Sequence, residues 1–255
     1  MRKSMTATPP VGMREAVQAI GGICSRAQVY GRCGMRPPHY IVTLEAGSGQ
    51  STLTEYLARA FADAGVRRFG GLDLFLEYRL DGTMGQLRSV FADIRACAVY
   101  TNDYEGVVAM DISGLEPHVN EGQAEFFLRE IEKAARHATF IFFVPRTMSR
   151  NMAGLTDKLT GVLEESRMLE LTPYTAEEIA QITMRMIGEA GVDTRDEEQI
   201  LAQITEAAEA DGELSVKWAK QMCRDLVGEA EFSGFVPVLT PQGAARACRA
   251  QARRA

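Results

Sequence analysis

The chain reads as an α/β fold, a parallel sheet flanked by helices, followed by a small all-α domain. Three observations predict it. Short apolar runs alternate with helical periodicity over the first two thirds of the sequence, the pattern of parallel strands joined through helices. The stretch His39 to Ala64, HYIVTLEAGSGQSTLTEYLARAFADA, reads as strand, small-residue turn and amphipathic helix in immediate succession. From Thr175 onward the strand-like runs stop, and only helical spacing remains.

The elements follow in order. Met13 to Tyr30 has helical spacing and is ended by Gly31, Gly34 and Pro37-Pro38. The apolar run Tyr40-Ile41-Val42-Thr43-Leu44 predicts a buried strand, and Ser51 to Ala64 predicts the helix after the turn. Leu72-Asp73-Leu74-Phe75-Leu76 is the next strand candidate, before a helix over Gly85 to Tyr100 with Leu87, Val90, Phe91 and Ile94 on one face. Gly106-Val107-Val108-Ala109-Met110-Asp111 is a short apolar strand ending in a carboxylate. A helix over Glu121 to His137 leads into the fully apolar strand Thr139 to Val144, and Arg167 to Leu171 supplies one more short strand. Three helices are then expected, over Thr175 to Ala190, Asp193 to Ala210 and Leu214 to Gly228. Thr175 and Glu178 have the spacing of a capping box, in which hydroxyl and carboxylate satisfy orphan N–H groups reciprocally. The alanine-rich end, with Arg246, Arg249, Arg253 and Arg254, reads as a solvated helical tail.

The turn Ala46-Gly47-Ser48-Gly49 is where chemistry is expected. In a Walker loop, G-x-x-x-x-G-K-[ST], glycines let successive N–H groups face phosphates, the lysine neutralises charge and the hydroxyl holds Mg2+. Here Leu44 stands at the first glycine, Gly49 at the second, Gln50 at the lysine and Ser51, followed by Thr52, at the hydroxyl. The architecture is kept and the cation is gone. A charge-assisted hydrogen bond is worth roughly 1.5–3 kcal/mol, so its loss weakens nucleotide binding about ten- to a hundredfold. Loss of a preorganised donor to developing charge costs on the order of 100- to 1,000-fold in rate. The plainer reading is a glycine-serine turn that joins a strand to a helix and binds nothing.

Composition bounds the partners. With 28 Lys+Arg against 34 Asp+Glu, a formal net charge of −6 and a pI of about 5.3, no global field draws the chain to nucleic acid or anionic lipid. Five scattered cysteines, Cys24, Cys33, Cys97, Cys223 and Cys248, lack C-x-x-C spacing and predict reduced thiols in a cytoplasmic protein. No apolar run approaches a membrane span, and Met1 to Pro10 has no signal-peptide core. His39, His118 and His137 lie too far apart in sequence to suggest a metal site, and Trp218 is expected in a helical core.

An α/β part followed by a helical tail, in this order, resembles the AAA+ superfamily: a P-loop AAA+ core and a small all-α lid. Within it the chain is similar to the CbxX/CfqX group, which includes stage V sporulation protein K. Glu77-Tyr78 with Asp81-Gly82-Thr83 resembles that group's E-Y-x-G-x-T segment, and Leu169 to Ile179, LELTPYTAEEI, resembles its junction into the lid. The resemblance implies an N-terminal helical segment at 1–38, a P-loop core at 39–173, a lid at 174–232 and a tail at 233–255.

Roles carry over position by position. The resemblance makes Gly47, Ser48, Gly49, Gln50, Ser51 and Thr52 the phosphate-loop residues, with Ser51 and Asp111 as the Mg2+ positions. Val107 to Asp111 match the Walker B pattern, but Ile112 occupies the place of the glutamate that activates water. Thr147 falls near the sensor-1 position, next to the departure Arg146, and no arginine stands at the finger position before Arg167. Lys217 matches the sensor-2 arginine without its bidentate fork. Phosphate lysine, catalytic glutamate and finger are missing together from an intact apolar framework. The expectation is a pseudo-ATPase, with a weakened ATP or ADP site with Mg2+, acting as scaffold or regulatory subunit beside an active AAA+ partner or a second copy. The alternatives are an ATP-binding AAA+ ATPase that remodels a protein substrate, and a P-loop kinase or transferase.

Overall fold

The computed structural model describes residues 7–27, 36–45, 47–66, 75–100, 106–115 and 120–252. It divides into two compact units, Met1–Ala46 with Gln50–Leu171, and Gly47–Gly49 with Thr172–Ala255.

In the first unit five strands, β1 (His39–Leu44), β2 (Phe75–Arg79), β3 (Val107–Asp111), β4 (Thr139–Pro145) and β5 (Ser166–Glu170), form a sheet in the order β2-β3-β4-β1-β5. Every pairing is parallel. The central strands β1, β3 and β4 are apolar on both faces because helices cover both. The edge strands tolerate Glu77, Arg79, Arg167 and Glu170. The helices are α1 (Arg14–Cys24), α2 (Gln50–Asp63), α3 (Met84–Tyr100), α4 (Glu121–Ala134) and α5 (Arg150–Val162). One face of the sheet, with Ile41, Val108, Met110, Phe140, Phe142 and Val144, packs into a core with Leu87 and Phe91 of α3, Phe127 and Ile131 of α4, and Leu155 and Leu159 of α5. Phe127 meets Phe142 edge-on, with ring centroids 6.2 Å apart, and Phe140 stacks on Phe142 at 5.5 Å.

Helix starts follow local chemistry. Asn120 and Gln123 close a capping box on α4, and Ser149 caps α5. The Asp81-Gly82-Thr83 segment serves the start of α3: Asp81 accepts from the amide and hydroxyl of Thr83, and Thr83 accepts from the amide of Gln86. Gln123 ties α4 to that turn through the carbonyl of Gly82 at 2.9 Å.

The second unit contains α6 (Ala176–Glu189), α7 (Glu197–Asp211), α8 (Val216–Gly228) and α9 (Pro241–Ala252), with a small sheet in the order β6 (Asp193–Thr194), β8 (Val236–Leu239), β7 (Glu231–Ser233). The Thr175–Glu178 capping box opens α6, as its spacing predicts. Ile179, Ile187, Ile200, Ile204, Trp218, Met222 and Leu226 are buried, so the helices share an apolar core.

Several element expectations shift. The first helix ends at Cys24, and residues 28–30 of the expected span lie outside the described residues. The second strand sits at Phe75–Arg79 instead of Leu72 to Leu76, whose first three residues are also outside the described set. Pairing with β3, from Phe75 opposite Val107 to Arg79 opposite Asp111, sets its position, and an edge strand needs no continuous apolar run. The sequence gives no element between Val144 and Arg167, where α5 lies; Gly154, Thr156, Thr160 and Gly161 lower its helical signal. In the second unit, Asp193-Thr194 leaves the expected helix to pair with Val238-Leu239. The stretch expected as a tail carries β8 and α9, and α9 packs on α7 and α8.

After β3 the chain makes a single 3-10 turn, Ser113–Leu115, pressed against the turn after β2. A Cβ on Gly114 would stand 2.0 Å from the carbonyl oxygen of Leu80, whose amide in turn bonds the carbonyl of Asp111 at 2.9 Å. Only glycine fits. Gly154, mid-helix in α5, has open space around it. Gly114→Ala is therefore expected to lower unfolding free energy by about 1–3 kcal/mol, and Gly154→Ala to raise it by roughly 0.5–1 kcal/mol. Urea unfolding of both variants checks the opposite signs.

Candidate functional site

The loop residues Gly47 and Gly49 have φ of +85° and +84°, a region in which glycine is at ease. Ser48 between them is buried, and its carbonyl accepts from the Tyr174 hydroxyl at 3.3 Å. A Cβ on Gly47 would lie 3.6 Å from Cβ of Ser215, the N-cap of α8. This loop therefore packs with the second unit. Lys217 is the second residue of α8 and is exposed.

In the first unit, Gln50 opens α2 and its carbonyl accepts from Thr54 at 3.0 Å, while Thr52 is exposed. Ser51 donates from Oγ to Oε1 of Glu77 on β2 at 2.8 Å. Asp111 ends β3 half-buried. Its Oδ1 accepts from the amide of Ser113 at 3.0 Å and from the Ser113 hydroxyl at 2.6 Å, and its Oδ2 lies 3.8 Å from Nε of Arg79. Glu77 and Arg79, two residues apart on β2, share one face of the sheet with Asp111. Ser51 and Asp111 thus meet the same strand end, each already engaged by a protein group. Ile112, the next residue, is fully buried in the core on the opposite face.

Glu77, Arg79 and Ser113 are the residues that sequence reasoning did not assign to this cleft. Their signal was the alternation Glu-Tyr-Arg at an edge strand next to a strand-end aspartate, legible only once β2 is paired with β3. At the sensor-1 position, the amide of Arg146 bonds the carbonyl of Leu44 at 3.0 Å, and its guanidinium pairs with Glu170 and lies 3.6 Å from Glu45. That arginine, just after β4, is held by carboxylates at the ends of two neighbouring strands, β1 and β5. Thr147 is exposed, and Arg167 is the second residue of β5, within the strand and not before it.

A cavity of about 500 Å3 is lined by Arg36, His39, Glu132, Arg136, Glu164 and Glu165. It lies where β1 and β5 begin. Ligand sites of open α/β sheets lie at the opposite, carboxyl ends of the strands, so the strand ends at Ser51 and Asp111 are the better candidate. Among the described residues no group of three His, Cys, Asp or Glu side chains is arranged to hold a metal, and no helix is long and apolar enough to cross a membrane.

The side chains at the strand ends of the first unit do not suit a tightly held triphosphate. Two carboxylates, Glu77 and Asp111, flank Ser51 with one guanidinium, Arg79, whose side chain is 84% exposed. Such a balance repels a polyanion.

No protein-family model and no curated protein matches the chain. Among solved structures, a variant of Thermotoga maritima RuvB matches with a TM-score of 0.55 at 14% identity, over 94% of this chain and 70% of the other. The chain shares that structure's fold, a parallel sheet flanked by helices. At that identity the likeness speaks for the fold and leaves the site to the side chains above.

Burial, and then the charge of Glu178, push the Tyr174 phenol up to about 12 from 10.0. The unfolded phenol loses its proton near pH 10 while the folded one keeps it, so this contribution to stability is present below pH 10 and is lost as pH rises toward 12. Tyr174→Phe is expected to cost about 0.5–1.5 kcal/mol at neutral pH through the lost bond to Ser48. It is also expected to flatten the fall in stability above pH 10, as read by urea unfolding across pH.

Proposed function

We propose that this AAA+ module does not hydrolyse ATP, or does so negligibly, and acts as a scaffold or regulatory subunit beside an active AAA+ ATPase or a second copy of itself. The observation that carries the reading is Ile112. A glutamate at that position would have to activate water, and here an apolar side chain is fully buried instead. Asp111 supports the same reading, since its Oδ1 is occupied by Ser113 and Arg79 neutralises its other oxygen. Gln50 leaves the phosphate loop without its ammonium. Gly47, Ser48, Gly49, Gln50, Ser51, Thr52 and Lys217 would contact ATP or ADP weakly, and Ser51 and Asp111 would hold Mg2+ only after releasing Glu77 and Ser113. Bound Mg2+ would supply charge neutralisation to the phosphates.

One observation favours a second reading, an ATP-dependent remodelling enzyme. Glu77 and Arg79 bring a carboxylate and a guanidinium to the cleft from β2, a source the AAA+ motifs do not use. Phosphate release separates the two. The expected result is release indistinguishable from a buffer blank with ATP and Mg2+; release above the blank that disappears in both Asp111→Asn and Glu77→Gln would establish the enzyme.

A further inference from the structure

Among the described residues, four of the five exposed large apolar side chains lie in the second unit, within ten residues of chain: Val227, Phe232, Phe235 and Val236, with Phe232 77% and Phe235 100% exposed. They belong to the end of α8 and to the β7–β8 hairpin, whose turn is Gly234-Phe235, with Gly234 at φ +72°. β7 is the outer strand of its sheet, exposed at all three positions. Natural edges are usually blunted by lysine, proline or a bulge. This one has none of these, and its single charge, Glu231, is answered by Arg246 at 3.5 Å, which also binds Glu229 at 2.6 Å.

The backbone of that edge is specified by the neighbouring strand. Phe232 is opposite Pro237, which has no N–H. In an antiparallel ladder the pairs alternate between hydrogen-bonded and non-hydrogen-bonded, so the Phe232–Pro237 pair is of the second kind. The N–H and C=O of Phe232 therefore point away from β8, toward the open edge.

We propose that β7 pairs antiparallel with β7 of a second copy of this chain about a two-fold axis through Phe232, joining two three-stranded sheets into one. In that register Phe232 exchanges both backbone bonds with Phe232 of the second copy, using the groups the hairpin leaves free. Glu231 falls opposite Ser233, with no like charges facing. A register centred on Glu231 would set carboxylate against carboxylate, and one centred on Ser233 would leave Phe232 opposite a glycine. The aromatic pair across the axis is a favourable cross-strand neighbour.

The area sets the strength. One phenylalanine from each copy, at about 150–250 Å2 each, gives roughly 300–500 Å2 in total, well short of the roughly 1,200 Å2 at which stable interfaces begin. The dimer is thus weak and reversible. The pairing uses surface independent of the nucleotide cleft and does not rest on the proposed function.

Sedimentation equilibrium of the full chain over about 5–500 µM tests it. Mass is expected to rise from one 28.0 kDa chain toward two. Phe232→Pro, which removes the outward N–H, and Phe232→Lys, which keeps the backbone but faces like charges, should both stay at the mass of one chain while retaining the wild-type circular dichroism. A wild-type chain that is monomeric throughout, leaving the edge to a strand of another protein, would overturn the pairing. So would association undiminished in Phe232→Lys, the deciding variant should Phe232→Pro fail to fold.

Discussion

The carboxylate of Asp111 accepts both the amide and the hydroxyl of Ser113, and Ile112 between them is sealed into the core, so the end of β3 serves packing and turn formation. The surrounding geometry depends on this. The 3-10 turn that follows is pressed on the carbonyl of Leu80 through Gly114, which ties the end of β2 to the end of β3. That tie in turn fixes the register in which Arg79 lies beside Asp111 and Glu77 reaches Ser51. A charged side chain at position 112 would have to leave the core or be buried unpaired, and either disturbs the turn that holds the cleft together.

The same constraint shows what holds this α/β fold. The sheet, its helices and the glycine turn are held by apolar burial and local capping, none of which needs a nucleotide. The motif positions, by contrast, sit at a helix start and at strand ends, and they differ in how far the fold depends on them. Gln50, partly exposed, opens α2, whereas Ile112 is a core position.

Much of the fold was legible in the sequence because burial on both faces leaves continuous apolar strands, as in Val107 to Met110 and Thr139 to Val144, and because capping pairs such as Thr175 and Glu178 have fixed spacing. The edges were less so. β2 carries Glu77 and Arg79, which break the apolar run, and α5 is diluted by glycines and threonines. β6 and β8 exist only through pairing with each other and with β7, a long-range cause that no local window carries. The site divided along the same line. The loop glycines, Ser51 and Asp111 were readable from motif spacing, whereas Glu77, Arg79 and Ser113 became visible only when parallel pairing set two strand ends side by side.

The most direct test of the account is the urea unfolding free energy of Ile112→Glu against Ile112→Val. If position 112 is core, burying a carboxylate there should cost about 3–5 kcal/mol or abolish folding, while the loss of one methylene should cost about 0.5–1.5 kcal/mol. An Ile112→Glu variant as stable as the parent would contradict it, because a freely accommodated carboxylate would mean that the position still opens onto the cleft.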